Sequence, residues 1–420
     1  MINKLILIML LVALSACEQT QTPTVEVRQA DKIAGLWRGV LTSPGGELPF
    51  GIDIMKGEDG YTAKILNGEE RADTSSVDFS NNTITINFEW FDARITATLS
   101  EDGNNMNGQW SKTASGRDKT SMLEFSASKG FDYRFSQELD PAVITNTAGS
   151  WEVTFRDEDG DSIAVAELNQ QGKIVTGTFL TPTGDYRFLA GSANDNKLYL
   201  SAFDGAHAFL FNAEINNDKI IKGHFWSRES YHATWTASQS NDTGDFLPSA
   251  WEMNKVTTTD NTVSFSFADI NDNTVQLTDE RFKDKPVIVN LFGTWCPNCN
   301  DEAPVLARFY DKYKSQGLEI VGLAFEFTED PVRDKQQIKI FKQRHKINYP
   351  LLLAGGNDKS QATKILGFLD EVKSYPTSIF LDKNHQVVNI HTGFSGPGTG
   401  EHYVQLLEEL ENEILTLLNN

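Results

Sequence analysis

The chain has 420 residues, long enough for about three domains with a core each, and a formal charge of −21. That charge repels nucleic acid and anionic membrane surfaces and excludes nucleic-acid binding as a function. With three cysteines in all, the chain has no disulfide framework to hold its fold.

Met1-Ile2-Asn3-Lys4 precede an apolar run from Leu5 to Leu14 and the small residues Ser15-Ala16 before Cys17. One basic residue, a run too short to span a hydrocarbon layer ~30 Å thick and a small-residue end predict an export signal over residues 1–17. Leu14-Ser15-Ala16-Cys17 resembles the lipobox of bacterial lipoproteins. That resemblance implies that Cys17 is lipidated and begins the mature chain, anchored by its lipid to a membrane of the cell envelope and facing the periplasm. An ordinary signal peptide that contains a cysteine is the alternative. Glu18, next in the chain, points under the lipoprotein sorting rule to the outer rather than the inner membrane. Residues 18–32 are polar and aperiodic, as a tether is.

From Ile33 to Ser240 short alternating segments such as Ile84–Phe88, Arg94–Leu99 and Lys197–Leu200 are separated by Asn, Asp and Gly turns. The region repeats itself. Ala34-Gly35-Leu36-Trp37 matches Ala148-Gly149-Ser150-Trp151, Phe91-Asp92 matches Phe203-Asp204, and Gly108-Gln109-Trp110 matches Gly223-His224-Phe225-Trp226, at a nearly constant offset. This predicts two tandem all-β units, residues 33–128 and 145–240. Each opens on Gly-x-Trp, similar to the entry strand of lipocalin-type barrels, although a sandwich has the same strand spacing. Trp37, Trp110, Trp151 and Trp226 are expected to serve as core mass. His207, His224 and His232 are expected to scatter by strand alternation rather than to gather around a metal. The turn from Phe179 to Tyr186 has no chemistry assigned to it.

Asn241 to Pro248 mark a boundary, beyond which strands alternate with helices. Strands are expected over 263–267, 287–292, 318–325, 377–381 and 387–391, and helices over 301–313, 334–344, 359–366 and 401–418. That order predicts a mixed sheet covered by helices on both faces, in a domain over residues 250–420.

Trp295-Cys296-Pro297-Asn298-Cys299 follows the buried strand 287–292, so both thiols belong on the first turn of a helix. The unpaired N–H groups there favour a thiolate, and two intervening residues let the sulfurs close and reopen a disulfide. A structural disulfide closing so small a loop contributes little, and a zinc site lacks a second ligand pair, so a redox pair is the expectation.

With Tyr375-Pro376-Thr377 before the final hairpin, residues 250–420 resemble the thioredoxin superfamily, and within it the TlpA/ResA-like branch of anchored thiol–disulfide oxidoreductases. With the two β units read from the repeat, the chain is expected to be multidomain. The resemblance, which does not extend to residues 33–240, implies an α/β thioredoxin-like domain that needs no cofactor beyond the Cys296–Cys299 disulfide. It implies that Cys296 attacks a substrate disulfide and Cys299 resolves the mixed disulfide, that Pro376 is the cis proline beside the pair, that Tyr375 and Trp295 border the substrate, and that Glu302 tunes the thiols. Asp301 is read as an acid favoured by the helix dipole. Asn290 stands where many thioredoxins carry a buried aspartate, so that position supplies no base. The partners implied are protein thiols and disulfides and a membrane electron donor. Two other readings are open. One is a thiol peroxidase, although Thr294 and Cys296 are wrongly spaced for the Pro-x-x-x-Thr-x-x-Cys pattern. The other is a ligand-binding or adhesion lipoprotein whose β units act and whose thioredoxin-like domain is accessory.

Overall fold

A computed structural model describes residues 31–113, 119–131, 133–135, 145–216, 219–244, 246–328 and 330–419. The leader, Cys17 and the tether up to residue 30 lie outside the described residues. Among the described residues no helix is long and apolar enough to cross a membrane.

The β units are closed barrels, not sandwiches. In the first, the strand Gly35–Ser43 pairs antiparallel with both Gly46–Lys56 and Thr120–Lys129. Gly46–Lys56 continues to Tyr61–Asn67, which meets Ser76–Ser80 at Tyr61 and Val77, so eight strands close into a ring, with Glu70–Asp73 as an added edge strand. The second barrel repeats that order from Gly149–Asp157 to Tyr231–Ser240, with Gly184–Asp185 as its added strand. The repeat extends to single hydrogen bonds. Trp37 Nε1 donates to the carbonyl of Ile33 at 2.8 Å and Trp151 Nε1 to that of Thr147 at 2.9 Å, so the Gly-x-Trp motif ties the entry strand to the residue four before the tryptophan in both barrels. Trp37, Trp110 and Trp151 are fully buried.

The barrels share apolar contacts. Phe203, from the second barrel, lies in the core of the first, its ring 4.4 Å from that of Phe50 and edge-on to Phe88 and Trp110. Trp226 departs from the expected core role: half-buried, it packs against the first barrel instead. His224 and His232 stack on adjacent strands with ring nitrogens 3.0 Å apart, while His207 bonds Asp204. Alternation thus separates His207 but brings the other two together, and no group of three metal-ligating residues forms among the described residues.

The C-terminal region has a seven-stranded mixed sheet. Its order is Thr274–Gln276, Ser266–Asp269, Leu351–Gly356, Glu319–Glu326, Val287–Phe292, Thr377–Leu381, Val387–Thr392, with the third, fourth and fifth strands parallel. Val287–Phe292 and Glu319–Glu326 are buried along their whole lengths, as parallel strands covered on both faces are. The helices are α1 (Pro297–Tyr313), α2 (Pro331–Arg344), α3 (Lys359–Leu366) and α4 (Glu401–Asn419). Asp330 caps α2 ahead of Pro331, and Asp358 caps α3, which ends on Gly367 at φ 67°. The strand expected over 263–267 lies at Ser266–Asp269, the helix expected from 334 begins at Pro331, and Thr274–Gln276 and Leu351–Gly356, unassigned in the sequence, are strands.

Candidate active site

The strand Val287–Phe292 delivers the chain through Gly293 to the dithiol turn. A side chain at Gly293 would lie 2.3 Å from the Trp295 indole nitrogen, so glycine there lets Trp295 fold back and donate to the Phe325 carbonyl at 2.9 Å. The indole then meets Phe327 and Tyr375 edge-on. Cys296 is the N-cap of α1, its sulfur accepting the Cys299 N–H at 3.3 Å, and Pro297 takes the first helical position, where its missing N–H costs nothing. The helix therefore begins four residues before the expected start, which puts Asp301 in the second turn, outside the reach of the dipole argument.

The thiol of Cys296 points at the Tyr375 carbonyl, 3.4 Å away, and the Tyr375–Pro376 bond is cis. Cys296, Cys299, Trp295, Tyr375 and Pro376 are thus brought together at one end of the sheet. Cys296 is only 6% exposed and Cys299 1%. Burial pushes the Cys299 thiol well up, and its contact with Cys296 and the charge of Glu302 push the same way.

Glu302 is 1% exposed, accepting from Asn290 Nδ2 at 2.7 Å and from Ser378 Oγ at 3.0 Å. Burial outweighs these bonds and raises its carboxyl to about 7. Asn290, no base itself, thus holds the Glu302 carboxyl in place.

Several residues of the site carry no local sequence signal. Asn300 donates to the carbonyls of Thr294 and Cys296 at 3.0 Å each and is bonded to His345, whose imidazole burial holds down at about 3. Glu326 accepts from the amide and hydroxyl of Thr294 at 2.9 and 2.7 Å, and burial raises it to about 7. Lys112 comes from the first barrel: 6% exposed, it donates to the Phe91 carbonyl at 2.8 Å and lies over the Phe327 ring. Burial lowers its ammonium to about 7, against the opposite pull of Asp204, Glu326 and Cys296. Asp301, read from the sequence as a dipole-favoured acid, pairs instead with Arg187 of the second barrel at 2.6 Å.

The sequence model of the AhpC/TSA family matches residues 258–390. The thiol-disulfide oxidoreductase ResA of Bacillus cereus is 32% identical over 142 residues, which cover 34% of this chain and 73% of that protein. This chain belongs to the ResA-like thiol–disulfide oxidoreductases. The ResA of Bacillus subtilis is 29% identical over 145 residues, 34% of this chain and 73% of that one. Among solved structures, a thiol:disulfide interchange protein of the thioredoxin family from Chlorobium tepidum TLS covers 35% of the chain and 94% of its own, at 22% identity and TM-score 0.26. A secreted thiol-disulfide isomerase from Corynebacterium glutamicum covers 40% and 93%, at 17% identity and TM-score 0.31. In this ResA-like chain the similarity to ResA spans about a third of the chain, and the two barrels lie upstream of the family-model match at residues 258–390.

Proposed function

We propose that this ResA-like enzyme reduces disulfides of proteins outside the cytoplasm through the Cys296/Cys299 dithiol, held to the envelope by lipid on Cys17. The observation that carries the reading is the dithiol geometry: Cys296 caps α1 with its sulfur 3.4 Å from the Tyr375 carbonyl, and Cys299 is buried behind it. The leader sequence supports the location and the anchor.

The Cys296 thiolate attacks one sulfur of the substrate disulfide, forming a Cys296–substrate bond and releasing the other sulfur as a thiolate. Cys299 loses its proton and attacks the Cys296 sulfur, closing Cys296–Cys299 and releasing the second substrate thiolate. Two electrons leave the dithiol, and the two substrate thiolates take up protons. Glu302 acts on Cys299 through its charge, Trp295 and Tyr375 border the substrate, and the loop before Pro376 offers the Tyr375 carbonyl beside the attacking sulfur. A membrane electron donor restores the dithiol.

Thiol peroxidase activity is a second reading favoured by the AhpC/TSA match. Against it, the Thr294 hydroxyl is committed to Glu326 at 2.7 Å rather than to the sulfur. The test is insulin reduction with dithiothreitol as donor. Cys296→Ser is expected to abolish it and Cys299→Ser to trap a mixed disulfide with insulin visible by mass. Unchanged activity of Cys296→Ser, or rapid peroxide consumption without insulin reduction, contradicts the proposal.

A further inference from the structure

The hairpin from Phe179 to Tyr186, a plain turn in the sequence, reaches the dithiol. Its strands are Ile174–Thr181 and Gly184–Asp185, paired at Leu180 with Asp185 and at Thr181 with Gly184, so Pro182 and Thr183 form the tip. Gly184 is pressed on Asn298, the residue between the cysteines: a Cβ there would lie 1.8 Å from the Asn298 amide nitrogen. The Thr183 carbonyl sits 2.4 Å from the place of a Cβ on Gly393, whose own N–H donates to the Pro376 carbonyl at 2.8 Å. The tip thus touches the dithiol turn on one side and the segment bonded to the cis proline on the other.

Two polar contacts fasten it. The Gly396 N–H donates to Asp185 Oδ2 at 2.6 Å, and Arg187 Nη1 pairs with Asp301 Oδ2 at 2.6 Å. The same guanidinium holds Glu70 of the first barrel at 2.8 Å and Asp204 of the second at 3.0 Å, so one side chain joins both barrels to α1. Burial opposes its charge, but the three carboxylates outweigh burial and hold Arg187 firmly protonated.

We propose that this hairpin is an internal plug in the substrate groove, latched by Arg187 and Asp185, and that a protein disulfide reaches Cys296 only after the latch opens. The groove lies between the dithiol turn and the Pro376 loop, where a substrate chain would have to lie to place its sulfur against Cys296. In the structure Gly184 and Thr183 of the second barrel lie against Asn298 and Gly393 at its border, and Cys296 is 6% exposed. The inference rests on Cys296 being the attacking thiol of the proposed reaction.

The test uses the reduced full-length protein and compares Cys296 modification by N-ethylmaleimide and by a polyethylene-glycol maleimide, which share one reactive group and differ in size, read by peptide mass spectrometry. In the wild type the bulky reagent is expected to be far slower than the small one. Asp301→Asn is expected to raise the bulky-to-small rate ratio about tenfold, the loss of one charge-assisted bond, and Arg187→Met, which loses all three of its ion pairs, to raise it at least as much. Since Arg187→Met leaves three carboxylates without their cation, Asp185→Asn is the milder second variant, expected to raise the ratio in the same direction. Hydrogen exchange of wild-type protein should show residues 179–187 opening together with 393–399. The plug is overturned if the wild type reacts with both reagents at like rates, or if all three variants stay folded with the ratio unchanged. Alkylation needs no reductase turnover, so loss of the latch effect with intact insulin reduction removes the plug alone. A latch effect without insulin reduction supports the plug and removes the reductase reading alone.

Discussion

At Glu302 and Lys112 burial works in opposite directions on an acid and a base, and the two leave separate marks on stability. The folded carboxyl of Glu302 titrates at about 7 rather than at its ordinary 4.5, so the folded state holds its proton more tightly. Its contribution is complete below pH 4.5 and is lost as pH rises through 7, at most about 3 kcal/mol at ~1.4 kcal/mol per unit. Glu302→Gln is therefore expected to flatten the fall of unfolding free energy between pH 4.5 and 7, measured by urea titration, and to flatten the pH profile of insulin reduction over the same range. An unchanged stability slope would show that Glu302 is not desolvated. Lys112 is depressed from 10.5 to about 7, so its contribution is present above pH 10.5 and lost as pH falls through 7. Lys112→Met is expected to flatten the rise of stability above pH 7 and leave the acid limb alone; a change confined to the acid limb would contradict the burial of its ammonium. Of these two, only Glu302 is legible in the sequence, through its spacing from Cys299. Lys112 lies on a barrel strand with ordinary alternation, and nothing local marks it as reaching the rings beside the dithiol.

At the scale of elements, what is legible is what local chemistry dictates. The run Val287–Phe292, the helix Lys359–Leu366 with its Asp358 cap and Gly367 stop, and the hairpin strands near Thr377 and Val387 are all read from residues within a few positions. The start of α1 is not, because a thiol serves as the cap and Pro297 as the first helical residue. Leu351–Gly356 escapes a sequence reading because three leucines followed by an alanine and two glycines have no alternation; its place between neighbouring strands makes it a strand. Closure of the β units into barrels depends on the pairing of first and last strands, which a repeat offset does not contain. The same holds for Phe203, a repeat landmark whose ring fills the first barrel rather than its own. Phe203→Ala is expected to destabilise the protein by about 3–5 kcal/mol, as the loss of a fully buried aromatic does, read from urea denaturation. A cost under about 1 kcal/mol would mean the barrels do not share that core.

At the scale of the molecule, residues Ile33 to Asn420 form one compact unit. Barrel contacts reach two helices of the thioredoxin-like domain: Arg187 binds α1 from the second barrel, while Arg333 of α2 pairs with Asp92 of the first and Arg344 lies over Trp90. Calorimetry is accordingly expected to show the barrels and the thioredoxin-like domain unfolding in one transition; two well-separated transitions would show that these contacts contribute little. The ResA similarity accounts for the dithiol, and the upstream half of the chain, unexplained by sequence, is built against it.

The most direct measurement is the reduction potential of the Cys296/Cys299 couple, by equilibration with dithiothreitol buffers. For a reductase the expected value is near ~−270 mV, in the range of thioredoxin, and a value near ~−120 mV, in the range of a strong oxidant, would contradict the reductase account.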